Sequence, residues 1–136
     1  MEASGGDISG QKKPACFTFG DSRELCDQLL ALVRSGAKTA SCGALCDYEA
    51  EGEALPEVGA RAIALDRDGR PALMIETVGV EICAFRDVSE DFALAEGEGD
   101  FAAWRDGHIG FFTRNGGFTP DMALVCERFR LVGGLA

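Results

Sequence analysis

The chain has 136 residues, with 13 basic and 23 acidic side chains and a net charge of −10; 46% of its residues are hydrophobic and 26% charged. That balance excludes a disordered or collagen-like polymer, no apolar run approaches the roughly 20 residues of a spanning helix, and the length suits one domain. The acidity speaks against general binding of duplex DNA, which needs a basic surface to release phosphate counterions, but permits one small nucleic-acid ligand in a local basic pocket.

Met1–Pro14, rich in Gly, Ser and charge, reads as a disordered tail ahead of a single domain over residues 15–136. Cys16–Gly20 is a short apolar lead-in. Asp21 with Glu24 three residues later has the capping-box arrangement, and Leu25, Leu29, Leu32 and Val33 recur at helical spacing. Gly36 follows where a left-handed C′ residue belongs, so a helix is predicted over Ser22–Ser35. The small residues from Lys38 to Asp47 predict a strand, and the acid-rich Asp47–Glu57 a solvated loop with up to one helical turn. Arg61–Asp66 and Pro71–Val80 are β-like runs around the turn Arg67-Asp68-Gly69-Arg70, the second with room to continue to Phe85.

Ser89 is placed to cap a short acidic helix ending near Gly97. Asp100 is placed to cap another over Phe101–Arg114, which puts Trp104, His108 and Phe111 or Phe112 on one side. Gly116 and Gly117 end that helix, and Met122–Val132 alternates as a closing strand. The order helix, strand, hairpin, two short helices, strand predicts an α+β fold. We expect a small mixed β-barrel with helices packed at the barrel ends, since a doubly wound parallel sheet needs strand and helix to alternate.

Six cysteines (Cys16, Cys26, Cys42, Cys46, Cys83 and Cys126) follow a stretch with no charged-then-apolar leader, so a reducing, cytoplasmic setting with free, buried thiols is expected. On a strand Cys42 and Cys46 stand roughly 13 Å apart, and His108 is the sole histidine, so neither a metal nor a cofactor is expected. His108, beside aromatics, reads as a packing residue, with Arg105 opposing its protonation if the two face each other.

Lys38 is the position of most chemical interest. It follows a helix C-terminus, among the small residues Ala37, Thr39, Ala40 and Ser41, and the other two lysines lie in the tail. Small neighbours leave room for a ligand, and a partly desolvated lysine can serve as base or nucleophile. The plainer alternative is an exposed lysine completing the helix C-terminus. Glu96 and Glu98, in Glu96-Gly97-Glu98-Gly99-Asp100, offer carboxylates to orient the amine, or else form a solvated acidic face.

Gly36-Ala37-Lys38-Thr39-Ala40-Ser41 resembles the Gly-x-Lys-x-x-Thr signature of the ASCH domain, which belongs to the PUA-like superfamily of small β-barrels, and the resemblance is to one bacterial branch of the ASCH family. The similarity continues through Phe19-Gly20-Asp21-Ser22, Tyr48–Glu53, Glu96–Asp100, Trp104-Arg105, Phe111-Phe112 and Val125–Phe129. It implies a cleft with Lys38 at its floor that binds single-stranded RNA, a nucleotide or a modified nucleoside. Relatives include a ribonuclease and an N(4)-acetylcytidine amidohydrolase, so a metal-independent ribonuclease or a nucleoside amidohydrolase is the enzyme expected. The resemblance carries catalytic roles onto Lys38 as nucleophile or base, Ser41 as hydrogen-bond donor and Glu96 as proton shuttle, with Glu98 as the alternative carboxylate. It also puts Thr113 near the cleft, and an RNA-binding version would use Thr39, Arg67, Arg70 and Arg114. Ser41 replaces the usual Thr, and the segment before Trp104 is shorter than is usual. A non-catalytic ligand or protein-interaction module is the third reading. If Lys38 does chemistry, Lys38→Ala is expected to abolish activity and spare stability.

Overall fold

The computed structural model describes residues 14–135, so the expected tail, save Pro14, lies outside the described residues. The elements are β1 (Ala15–Thr18), α1 (Arg23–Ser35), β2 (Ala40–Ala44), α2 (Leu45–Ala50), β3 (Arg61–Leu65), β4 (Pro71–Ala84), α3 (Glu90–Ala95), α4 (Phe101–Arg114) and β5 (Ala123–Gly134). Among the described residues, five strands form one sheet in the order β1-β3-β4-β5-β2, in which only the β1–β3 pair is parallel. Register shifts at Met74/Ile75 and Thr77/Gly79 bend the long β4–β5 ribbon, and bulges of this kind raise local twist, which curls the sheet into a half-barrel. The expected α+β barrel architecture is therefore observed.

Two apolar clusters hold helices to the sheet. On one, Cys26, Leu29, Leu30 and Val33 of α1, at helical spacing, meet Leu73, Ile75 and Phe129 of β4 and β5. On the other, Phe92 of α3 and Trp104 and Phe112 of α4 cover Ala40 and Ala44 of β2 and Leu124 and Cys126 of β5. Phe85 stacks on Trp104 with ring centroids 5.3 Å apart, adding aromatic contact to the area buried. Among the described residues no helix is long and apolar enough to cross a membrane.

Three local expectations are corrected. The cap of α1 is Ser22, whose hydroxyl accepts from the Leu25 N–H at 3.1 Å, while Asp21 turns to Arg114 and Asn115. The strand expected over Lys38–Asp47 stops at Ala44, where pairing with Leu124 ends, and Leu45–Ala50 turns helical. Cys46 thus lies on a helix; it and Cys16 are exposed, and all six thiols are free. By contrast, α4 begins at the expected cap, with the Asp100 carboxylate accepting from the Ala103 N–H at 2.8 Å.

Candidate functional site

Gly36 ends α1 in the left-handed conformation (φ 85°), and the chain reverses toward β2. The Lys38 N–H donates to the Leu32 carbonyl at 3.1 Å, and the Thr39 N–H to the Ala95 carbonyl at 2.7 Å. This second bond clasps the α1–β2 junction to the end of α3. Gly97 makes the clasp sterically possible, because at φ +76° a Cβ would stand 2.5 Å from the Ala37 carbonyl oxygen. Backbone contacts therefore set Lys38 beside Glu96 before any side chain is considered.

Lys38 is buried, with its side chain 1% exposed, as is Glu96, while that of Glu98 is 26% exposed. The Lys38 Nζ donates to the Glu96 carbonyl at 3.3 Å, to Glu96 Oε1 at 3.1 Å and to Glu98 Oε2 at 3.0 Å. An ammonium has three donor protons, so all are engaged. The reading of Lys38 as an exposed cap on a helix end is overturned: the amine is buried and ion-paired. Glu96 Oε2 accepts from the Trp104 indole N–H at 2.9 Å, and His108 Nε2 lies 3.5 Å from Glu96 Oε1. The His108 Nδ1–H donates to the Trp104 carbonyl at 2.9 Å, one helical turn back.

These contacts set the ionisation of the cluster. Burial alone raises the Glu96 carboxyl, but His108, Lys38 and Trp104 bring it down to about 2. Burial lowers His108, yet the Glu96 carboxylate outweighs it and the imidazole is raised above its ordinary value. Burial, with Glu96 nearby, pushes the Cys42 thiol well up. The ligand atoms of Cys42, Glu96 and His108 all lie within 4.8 Å of one another. Among the described residues, these three are the side chains that could hold a metal ion.

A groove of about 370 Å³ opens beside the cluster, between Leu25, Leu29 and Leu32 of α1, the Gly97–Gly99 loop, and Ala103 and Gly107 of α4. Glu98 lines it and covers Lys38, so a carboxylate rather than the amine faces the space. Small residues on α4 keep the groove open.

The other expected site residues scatter. Ser41 alternates away from Ala40 and Cys42, which pack toward α3 and α4, and stands in register with Glu127 on β5. There Thr77 donates to Glu127 Oε2 at 2.5 Å, and the Tyr48 ring lies against Gly43. Thr39 is exposed, its hydroxyl 3.4 Å from the Ala95 carbonyl. Thr113 turns its hydroxyl onto the Ile109 carbonyl of its own helix at 2.6 Å. Arg67 reaches the Gly20 carbonyl, Arg70 is exposed in the hairpin turn, and Arg114 is bound to Asp21. Arg23, Arg61, Arg86, Arg128 and Arg130 likewise pair with carboxylates.

His108, Trp104 and Cys42 are the members of the cluster that sequence reasoning missed. The i, i+4 spacing of Trp104 and His108 was the available signal, and it also fits plain packing. Arg105 does not face His108, because its guanidinium sits over the Phe101 ring at 5.4 Å.

Comparison with known proteins places the molecule. No curated protein sequence matches the chain. The crystal structure of protein EF3133 from Enterococcus faecalis V583 is 40% identical, with a TM-score of 0.84, covering 91% of this chain and 79% of that one. An ASCH domain from Lactobacillus crispatus JV V101 is 35% identical, with a TM-score of 0.81, covering 88% of this chain and 79% of that one. The family model of the ASCH domain matches residues 15–133, so this chain belongs to the ASCH domain family.

Proposed function

We propose that the protein binds a small neutral ligand of nucleoside size in the groove between α1 and α4. The observation that carries this reading is Glu98, which lines the groove while holding Lys38 at 3.0 Å. A volume of about 370 Å³ falls at the lower end of small-molecule pockets, roughly 300–1,000 Å³. The leucines of α1 offer an apolar wall for a base or sugar, and Glu98 accepts hydrogen bonds from ligand N–H or O–H groups. A long RNA fits less well. Polynucleotide affinity comes largely from phosphate neutralisation, and here the net charge is −10 and Arg114 is already paired with Asp21.

A second reading, hydrolysis of an acylated nucleoside such as N(4)-acetylcytidine, is favoured by the same lysine–carboxylate pair. When Glu98 turns to the ligand, Lys38 loses one of its three acceptors and its amine gains a free donor or, once deprotonated, a base. Glu98 suits the shuttle better than Glu96, whose two oxygens are held by Lys38 and Trp104. In this version Ser41 and Thr113 take no assigned part.

The test is calorimetric titration of wild type and Glu98→Gln with cytidine, N(4)-acetylcytidine and a short single-stranded RNA, with product release followed by chromatography. The expected result is nucleoside binding weakened about tenfold or more in Glu98→Gln, equivalent to ~1.4 kcal/mol. Release of cytidine from the acetylated compound supports the hydrolase version. RNA binding with a steep salt dependence, and no nucleoside binding, overturns the proposal.

A further inference from the structure

We infer that Cys42, Glu96 and His108 form a binding site for a zinc-type transition-metal cation, with the fourth position left to water. The inference does not rest on the nucleoside reading. The three ligand atoms lie within 4.8 Å of one another, so a point central to them is no more than roughly 2.8 Å from each, against ~2.0–2.3 Å for zinc bonds. Closing that gap takes about half an ångström of side-chain movement.

Orientation is an independent argument. A metal-binding imidazole characteristically donates its second N–H to a carbonyl or carboxylate, which aims the other nitrogen at the ion. His108 does this, since Nδ1–H is engaged by the Trp104 carbonyl at 2.9 Å and Nε2 faces Glu96. Ligating carboxylates are also held by outer hydrogen bonds, and the Trp104 indole holds Glu96 Oε2 at 2.9 Å. One tryptophan thus fixes two of the three ligands, from its backbone and from its side chain.

Charge closes as well. Coordination deprotonates a thiol outright and takes a neutral imidazole, so Cys42 and the Nε2 of His108, which otherwise faces Glu96 as a donor, both release their protons to solvent, and the thiolate with the Glu96 carboxylate balances a dication. The nearby Lys38 ammonium is compensated by Glu98 at 3.0 Å. Mixed sulfur, nitrogen and oxygen ligands suit zinc or cobalt over magnesium or calcium, and three protein ligands with one open position match catalytic zinc sites.

The experiment uses the full chain, reduced and stripped with chelator, in a Cys16→Ser/Cys46→Ser background that removes the two exposed thiols. Cobalt(II) is titrated while absorption is recorded, and zinc is then added as competitor. The expected result is one equivalent of cobalt bound with a thiolate-to-cobalt charge-transfer band. That band is lost in Cys42→Ser and kept in Cys83→Ser. Trp104→Phe keeps the band and weakens affinity by about 10–100-fold, the usual effect of losing an outer partner. Absence of the band in the unmutated site, together with no rise in melting temperature on adding zinc, overturns the inference whether or not the variants fold. A band that persists in Cys42→Ser overturns it equally.

Discussion

The two faces of the β2–β5 pair each carry a partly or fully buried glutamate, and the two are driven in opposite directions. Glu96, on the side of α3 and α4, is met by Lys38, Trp104 and His108 and is held as a carboxylate, down to about 2. Glu127, on the side of Ser41, is met by the Thr77 hydroxyl, and burial pushes its carboxyl up. Burial opposes charge in both. The difference lies in partners: a cation and two N–H donors outweigh desolvation, and one hydroxyl does not. The first cluster is a charge network closed on itself, the second a set of polar groups with no cation to offset desolvation.

The comparison breaks most visibly at the ion pair. Glu96→Ala leaves Lys38 with a reduced set of acceptors in a dry site, and removing one partner of a buried pair costs ~3–5 kcal/mol. Urea unfolding of Glu96→Ala is expected to show a loss of this size, and Lys38→Ala a comparable one. The expectation that Lys38→Ala spares stability is therefore replaced, because the amine is 1% exposed and triply bonded. Glu127→Gln, in contrast, is expected to stay within about 1 kcal/mol, since an amide also accepts from Thr77.

Gly97→Ala tests the clasp rather than the charges. Left-handed backbone alone costs a non-glycine residue roughly 1–2 kcal/mol, and the Cβ meets the Ala37 carbonyl, so the loss is expected to exceed about 2 kcal/mol. A melting temperature within a degree of wild type would refute the steric account.

Stability against pH sharpens the contrast further. Glu96 is depressed, so its contribution is present above its ordinary value of 4.5 and fades as pH falls toward about 2. His108 is raised, so its contribution is present below 6.5 and is lost as pH rises through its folded value. Glu127 is also raised, which favours the protonated folded form and adds a decline as pH climbs past 4.5. Thermal melts across pH 2–9 are expected to lose the acid limb in Glu96→Gln and keep it in Glu127→Gln. The smallest effect belongs to the surface: Arg114→Ala breaks an exposed pair with Asp21, and its urea midpoint is expected to move by less than about 1 kcal/mol equivalent.

Much of the scaffold was legible because local chemistry settles it. Ser89 and Asp100 cap helices, Gly36 ends one, and the Asp68-Gly69 turn joins two strands, each through bonds within a few residues. Where competing local signals were equal, reading failed. Asp21 and Ser22 are both good caps, and Asp21 was drawn away by Arg114, 93 positions distant in sequence. The small residues after Lys38 suit strand or helix, and the end of the ladder with β5 decided between them.

At the site, the sequence alone singled out Lys38 and the Glu96–Asp100 stretch, because a solitary lysine among small residues and carboxylates on glycine-flanked turns are visible in one dimension. It also carried the family, whose motif order spans most of the chain. Tertiary structure alone decided that Glu96 is sealed while Glu98 faces a groove, and that His108 and Cys42 join them. It likewise set Ser41 in register with Glu127 rather than in that network. The physical reason is that burial and ion pairing depend on contacts between α3, α4 and β2, elements that no local periodicity relates. Desolvation, which sets the charge of every group in the cluster, exists only once those elements have packed.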